Sequence, residues 1–332
     1  MLIELDKERY FLKNEQYFFE KFEFKNGAVI ENAVVDYGSM GTPKYDENGN
    51  LINAILFCHG FFDDYSSIHD FDQIFGRNKL FNQEDYFIIS ITSLGFSKSC
   101  SPSVSELKSK FPSYEMEDLV NFQRQFIKEK FPEIKKIKGI FGYSLGGSIA
   151  LGWAIYYPDD MEFVIHFAST YINSGVKYCF LKFSNKLLDN AIQNQSEIYH
   201  KSMSEGLISL SQLFYIMSFS KDYVYSLTNE EIDFSFDAFL DEGLFLDIYD
   251  LKIATDFLLS FDLSSQLDKI KCKLLVIGIE NNNYSVPKYD SIPIYEAVEG
   301  SEYILLDASN KSNEAESIYK IENDIRKFVE NI

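Results

Sequence analysis

Histidine is scarce in this chain: 332 residues hold four, at His59, His69, His166 and His200, and none follows position 200. Chemistry that needs an imidazole from the C-terminal part of the chain is therefore excluded. Cysteine is equally sparse. Cys58, Cys100, Cys179 and Cys272 lie far apart with no Cys-x-x-Cys pair, so they read as reduced thiols, mostly core, and not as a disulfide framework or a zinc site. No apolar run is long enough to span a bilayer, and Met1 to Arg9 mixes both charge signs without the apolar stretch of a secretory signal, so the expected location is the cytoplasm. Positive charge is in deficit as well: 31 Lys and Arg against 51 Asp and Glu leave a net charge of −20. Phosphate backbones and anionic membranes would be repelled over most of such a surface, which argues against nucleic acid and membrane as partners. The short basic cluster Lys135, Lys136 and Lys138 follows Glu129 and Glu133 and reads as a solvated loop. No motif implies a metal or another cofactor, and there is no internal repeat or low-complexity tract.

What is present is apolar material, 46% of the residues, enough for one large α/β domain with an insertion. Phe18 to Lys25 and Val29 to Tyr37 flank Asn26-Gly27, which predicts an antiparallel hairpin at the start. An unbroken apolar run follows at Ala54 to Cys58, and further largely apolar runs at Tyr86 to Ile91, Ile137 to Phe141, Phe163 to Phe167, Leu274 to Ile279 and Tyr303 to Leu306. Runs of this kind suit strands covered on both faces, and the helical patterns between most of them predict a mostly parallel, doubly wound sheet. Ser113 is the expected N-cap of one helix, Leu145 to Tyr157 forms a second, and Ile318 to Val329 a third with Ile318, Ile321, Ile325 and Phe328 on one face. Between Tyr171 and Asp268 the strand signal gives way to aromatic-rich helical stretches such as Leu207 to Ser218 and Leu244 to Phe261. The expected organisation is a core of residues 1–170 and 269–332 with a helical cap, 171–268, inserted; most cap aromatics are expected to be cap core.

Ile140-Phe141-Gly142-Tyr143-Ser144-Leu145-Gly146-Gly147 places Gly-x-Ser-x-Gly between a predicted strand and a predicted helix. In that context the pattern reads as a nucleophile elbow: the serine sits on a strained turn whose neighbours must be nearly side-chain-free, with its Oγ thrust into a cleft. The positive end of the following helix faces the place where negative charge develops. Independently, Cys58-His59-Gly60-Phe61-Phe62 continues an earlier strand. The backbone N–H groups of Phe61 and Leu145 are the expected oxyanion hole, and His59 is expected to orient the loop and take no part in proton transfer.

The run Leu94 to Ser103, then Phe111-Pro112, Asp118-Leu119-Val120, Gln123, Gly142 to Gly147, Trp153-Ala154 and Tyr157-Pro158, resembles the homoserine O-acetyltransferase-like branch of the α/β hydrolases, and the likeness extends over nearly the full length. The resemblance implies an α/β-hydrolase fold and ping-pong acyl transfer, in which Ser144 takes an acyl group from a small-molecule ester or thioester and passes it to a hydroxyl or to water. It also implies an acid after the strand Leu274 to Ile279 and a histidine after the strand Tyr303 to Leu306. Neither is present. The acid station falls on Asn282 or Asn283, and the histidine station on Asn310 or Lys311.

Serine needs a proton acceptor. Lys311 as the base of a Ser-Lys pair and His200 reaching down from the cap are the candidates, with Glu280 as the sole carboxylate near the acid station. His166, in mid-strand, reads as a core histidine, and His69 as a loop residue. Two functions remain: a serine acyltransferase or esterase with a repaired or weakened triad, and a catalytically inactive protein that binds an acyl or apolar ligand, or a protein partner, in the old cleft. A dedicated homoserine acetyltransferase ranks below both, since its chemistry also needs the missing base. Oligomeric state, including a homodimer, is left open.

Overall fold

A strand buried on both faces favours apolar residues at every position, and Ala54 to Cys58 meets that condition throughout, while others of the runs are interrupted by Ser90, Lys138 and His166. The computed structural model describes residues 12–193, 199–243, 246–307 and 315–332, with the backbone alone over 199–204 and 238–243. In chain order the strands are β1 (Lys13–Phe18), β2 (Lys21–Glu23), β3 (Val29–Glu31), β4 (Val34–Gly41), β5 (Ala54–Cys58), β6 (Phe87–Ile91), β7 (Ile137–Tyr143), β8 (Met161–Phe167), β9 (Lys273–Ile279) and β10 (Glu302–Leu306). Eight of them form one sheet in the order β1-β4-β6-β5-β7-β8-β9-β10. The pairings β1–β4 and β4–β6 are antiparallel, and those from β6 through β10 are parallel. All five residues of β5 are buried. Alternate residues feed two cores: Leu56 and Ile140 face one, Phe57 and Phe141 the other.

The opening hairpin is more divided than its sequence suggests. Only β2 and β3 pair across Gly27, at φ 84°, while β1 and β4 peel away to join the main sheet. The division falls at Asn32, whose φ of 52° breaks the extended run.

The helices are α1 (Met116–Lys130), α2 (Leu145–Tyr156), α3 (Gly175–Gln193), α4 (Tyr199–Ser218), α5 (Lys221–Ser226), α6 (Asn229–Gly243), α7 (Ile248–Ser260), α8 (Ser291–Ala297) and α9 (Glu322–Glu330). No described helix is long and apolar enough to cross a membrane. Glu115, and not Ser113, caps α1: its side chain and that of Asp118 each receive the other's backbone N–H in a capping box. Asp118 also accepts the N–H of Lys25 at 2.7 Å, so the cap doubles as the anchor of the hairpin. The expected helix from Ile318 is split into a 3₁₀ turn, Ala315–Ile321, and α9.

Five helices, α3 to α7, lie between β8 and β9, and two buried carboxylates fasten them to the sheet. Lys177 of α3 pairs with Asp290, which precedes α8, with 6% and 2% of the side chains exposed. Asp290 also accepts Thr170 Oγ1 at 2.7 Å and the N–H of Val286 at 2.7 Å, and Lys177 donates to Thr170 Oγ1 at 2.9 Å. On the other side Asp250 of α7 accepts Ser97 Oγ at 2.8 Å, Ser103 Oγ at 2.6 Å and the N–H of Ser103 at 2.8 Å. Burial pushes the Asp250 pKa above its ordinary value, against the pull of those donors.

Removing one partner of a buried pair leaves a charge without compensation. Lys177→Met is expected to cost about 3–5 kcal/mol in chemical denaturation, and adding Asp290→Asn to recover more than half of it. Equal stability of wild type and Lys177→Met would show that the pair does not fasten α3.

Candidate active site

Tyr143 ends β7 and Leu145 begins α2, so the whole reversal falls on Ser144, at φ 52° and ψ −122°. A non-glycine residue held there costs of order 1–3 kcal/mol, and the surroundings must over-determine it. They do: the Ser144 N–H donates to Phe167 O at 3.0 Å, and the Gly147 N–H donates to Ser144 O at 2.9 Å. The glycines are sterically required. A Cβ on Gly142 would lie 2.1 Å from Gly146 O, one on Gly146 would lie 1.9 Å from Cys58 O, and one on Gly147 would lie 2.5 Å from Ser169 Cβ. Ala168 after β8 (φ 49°) and Asn281 after β9 (φ 61°) share the positive-φ state. Strain thus collects at the carboxyl ends of the central strands, where open α/β sheets hold their ligands.

Opposite the elbow, β5 runs into His59-Gly60-Phe61. His59 is fully buried, accepts the Ser93 N–H on Nε2 at 2.9 Å, and so presents N–H from Nδ1 to Gly60 O at 2.7 Å. Burial lowers its pKa to about 4. It is a neutral loop fastener, with both nitrogens occupied. Gln123 supports the same region: it accepts Trp153 Nε1 at 2.8 Å and donates to Ser93 Oγ at 3.3 Å. The point above Gly60 where a Cβ would stand is 3.7 Å from Ser144 Cβ and 2.4 Å from Asp63 Oδ2. Asp63, which directly follows His-Gly-Phe-Phe, thus brings a carboxylate close to Ser144, and no sequence motif singles it out.

Ser144, Phe61, Leu145 and Asn282 line one cavity of about 200 Å³. Its polar wall includes Ser148, Ser169, Thr170, Asn173 and Ser285; its apolar wall includes Phe62, Phe214, Leu258 and Phe261. Asn173 donates to Leu258 O at 2.9 Å, while its Oδ1 is buried with no hydrogen-bond partner among the described residues. Leaving a buried acceptor unmatched costs about 1–3 kcal/mol.

The loop expected to carry an acid holds asparagines with backbone and side-chain partners of their own. Asn282 Oδ1 accepts the N–H groups of Tyr284 (2.8 Å) and Ser285 (2.6 Å). Asn283 donates to Phe219 O at 2.5 Å, and Asn281 to Asp222 Oδ2 at 3.2 Å, so the loop is tied to Phe219, between α4 and α5, and to the first turn of α5. Glu280 is exposed and does not line the cavity. Asn310, Lys311 and the side chain of His200 lie outside the described residues. His166 lies in β8 with its pKa lowered by burial to about 3, and His69 is exposed on the 3₁₀ turn Tyr65–Phe71.

Comparison with known proteins places this geometry. A family model described as the alpha/beta hydrolase fold matches residues 53–239. A probable acyltransferase of Methanothermobacter thermautotrophicus is 35% identical over 290 residues, 87% of this chain and 89% of the relative. A homoserine O-acetyltransferase of Leptospira biflexa is 26% identical over 319 residues, 85% of this chain and 82% of the relative. Among solved structures, an acetylester hydrolase from Corynebacterium glutamicum superposes with a TM-score of 0.82 at 22% identity, covering 96% of both chains.

His59 and His166 are neutral when folded but bind protons near pH 6.5 when unfolded. Between that pH and their folded values of about 4 and about 3 the unfolded state holds more protons, so stability is full near pH 7 and falls as pH falls. At pH 5 each histidine should cost about 2 kcal/mol. The measurement is denaturation at pH 7 and 5 in wild type and His166→Asn; an identical pH dependence in the two would refute neutral burial of His166.

Proposed function

Since the chain belongs to the α/β-hydrolase fold family, in its homoserine O-acetyltransferase-like branch, we propose that it transfers or hydrolyses acyl groups through Ser144, with 171–268 as an inserted cap over the site. The carrying observation is the strained Ser144 opening into a cavity whose opposite wall is the Gly60-Phe61 turn. In this reading Ser144 Oγ adds to the carbonyl carbon of a small ester or thioester. The oxyanion is met by the N–H of Phe61 and that of Leu145, which as the first residue of α2 has no acceptor within its own helix. Collapse expels the alcohol or thiol, which carries away the serine proton, and water or an acceptor hydroxyl then releases the acyl group.

The proton acceptor is the step at which this chain departs from its relatives' pattern. Lys311 and His200 are the proposed bases, and their signatures differ. An ordinary histidine turns over near pH 6.5 and a partly desolvated lysine higher, whereas hydroxide alone gives a rate that rises tenfold per pH unit without inflection. A second reading, ligand binding without turnover, is favoured by one observation: both asparagines of the acid station already hold the loop and the α4–α5 segment, so no carboxylate steadies an imidazolium there.

The deciding measurement is the rate of Ser144 labelling by a fluorophosphonate from pH 6 to 10, alongside turnover of p-nitrophenyl acetate. Labelling lost in Ser144→Ala together with serine-dependent turnover supports the acyl-transfer reading, and the inflection identifies the base. No labelling at any pH, with thermal stabilisation by an uncleaved acyl ligand, would replace it with the binding reading.

A further inference from the structure

The apolar wall of the Ser144 chamber includes Phe214 from the helical segment, beside Leu258 and Phe261. Phe214 of α4 stacks on Phe61 with centroids 5.6 Å apart and 16° between planes, meets Phe62 edge-on at 4.2 Å, and meets Phe180 of α3 at 4.7 Å. Phe180 in turn lies 6.1 Å from Tyr284, on the far side of the acid loop. Phe214 and Phe180 together link the Phe61-Phe62 turn to Tyr284 of the 279–290 loop, and the ring of Phe214 offers a ligand hydrocarbon contact. Its neighbours hold it in place: Phe61 follows the His59-Gly60 turn, and Phe180 is a buried core residue of α3.

The space left is small. An apolar cavity of about 150 Å³ accepts a benzene-sized guest, so a chamber of about 200 Å³ admits the reacting carbonyl and only a few further carbons. Past Met217, Asn282 and Tyr284, which line both spaces, the chamber meets a groove of about 940 Å³. Phe214 lines the chamber and not that groove. In the orientation argued here, the alcohol or thiol portion of a substrate lies toward that groove and the acyl portion toward Phe214.

Resting on the assignment of Ser144 as the reacting group, we propose that Phe214 is a specificity-determining residue that sets the acyl length this chamber admits, restricting substrates to esters and thioesters of short acyl chains. The ring acts as a stop: a chain long enough to reach it must displace an aromatic side chain packed against the oxyanion turn, and so disturbs the turn whose N–H groups the reaction uses. Each methylene a hydrophobic pocket accepts or refuses changes kcat/KM by about 10–200-fold, so one ring is sufficient to draw a sharp boundary.

The test uses the full chain and p-nitrophenyl acetate, butyrate, hexanoate and octanoate. Wild type should lose about tenfold or more in kcat/KM between butyrate and hexanoate, and Phe214→Ala should raise the hexanoate-to-acetate ratio by about tenfold or more, with Phe214→Leu between them. A parallel series of uncleavable methyl ketones, 2-butanone, 2-hexanone and 2-octanone, is read as a shift in melting temperature; Phe214→Ala should move the best ligand to a longer chain. If no ester turns over in any variant, the acyl-transfer reading fails and the ketone series alone decides on Phe214. An unchanged ester ratio, or an unchanged ketone ranking in a Phe214→Ala or Phe214→Leu protein that still melts cooperatively, overturns the proposal.

Discussion

The contact on which everything else depends is the approach of the first turn of α2 to the end of β5, where no atom fits between Gly146 and the carbonyl of Cys58. That closeness forces the chain to reverse within one residue and puts Ser144 at a positive φ. It also points the free N–H groups of the helix at the space into which β5 delivers the His59-Gly60-Phe61 turn. Ser144 and the turn that faces it are thus positioned by one packing arrangement. Three glycines make it sterically feasible, and two backbone hydrogen bonds hold the strained serine in place.

The fastening of the helical segment has a different physical character. It depends on buried polar pairs, Lys177 with Asp290 and Asp250 with the serines of the 97–103 loop, which are costly to desolvate and therefore strict in geometry. Apolar contacts between α4 and the oxyanion turn would tolerate sliding; a carboxylate that must collect three or four donors does not. The asparagine triplet 281–283 adds to this fixation. These amides serve the backbone of their own loop and residues Phe219 and Asp222 of the helical segment.

Legibility from sequence follows the range of the interaction involved. Ala54 to Cys58, the elbow and His59-Gly60 were readable because their signals are local: continuous apolarity, glycine spacing and strand-to-helix context. The helix start at Met116 was misplaced because Ser113 looks like a cap locally, while the real cap, Glu115 with Asp118, also answers a donor 93 residues away at Lys25. The opening strands divided where Asn32 takes a left-handed backbone, which no periodicity announces. Nothing in the sequence around Lys177 points to Asp290, since the partners are 113 residues apart and each alone resembles a surface charge. Asp63 follows directly on the recognised turn, but no motif singles it out.

On the acyl-transfer reading, what the site achieves depends first on how much of the work the backbone does. Serine enzymes stripped of a triad member retain about 10³–10⁴-fold acceleration from the oxyanion hole and binding, so on that reading the N–H groups of Phe61 and Leu145 and the chamber supply a large share of the rate whichever group takes the proton. Deprotonation of Ser144 is the step on which the surroundings bear most. A net charge of −20 disfavours an approaching hydroxide, while the N-terminus of α2 favours negative charge at short range, where solvent screening is weakest. The two act over different distances, so on the acyl-transfer reading the overall charge governs which ions approach and the packing around α2 governs what happens at Ser144 itself.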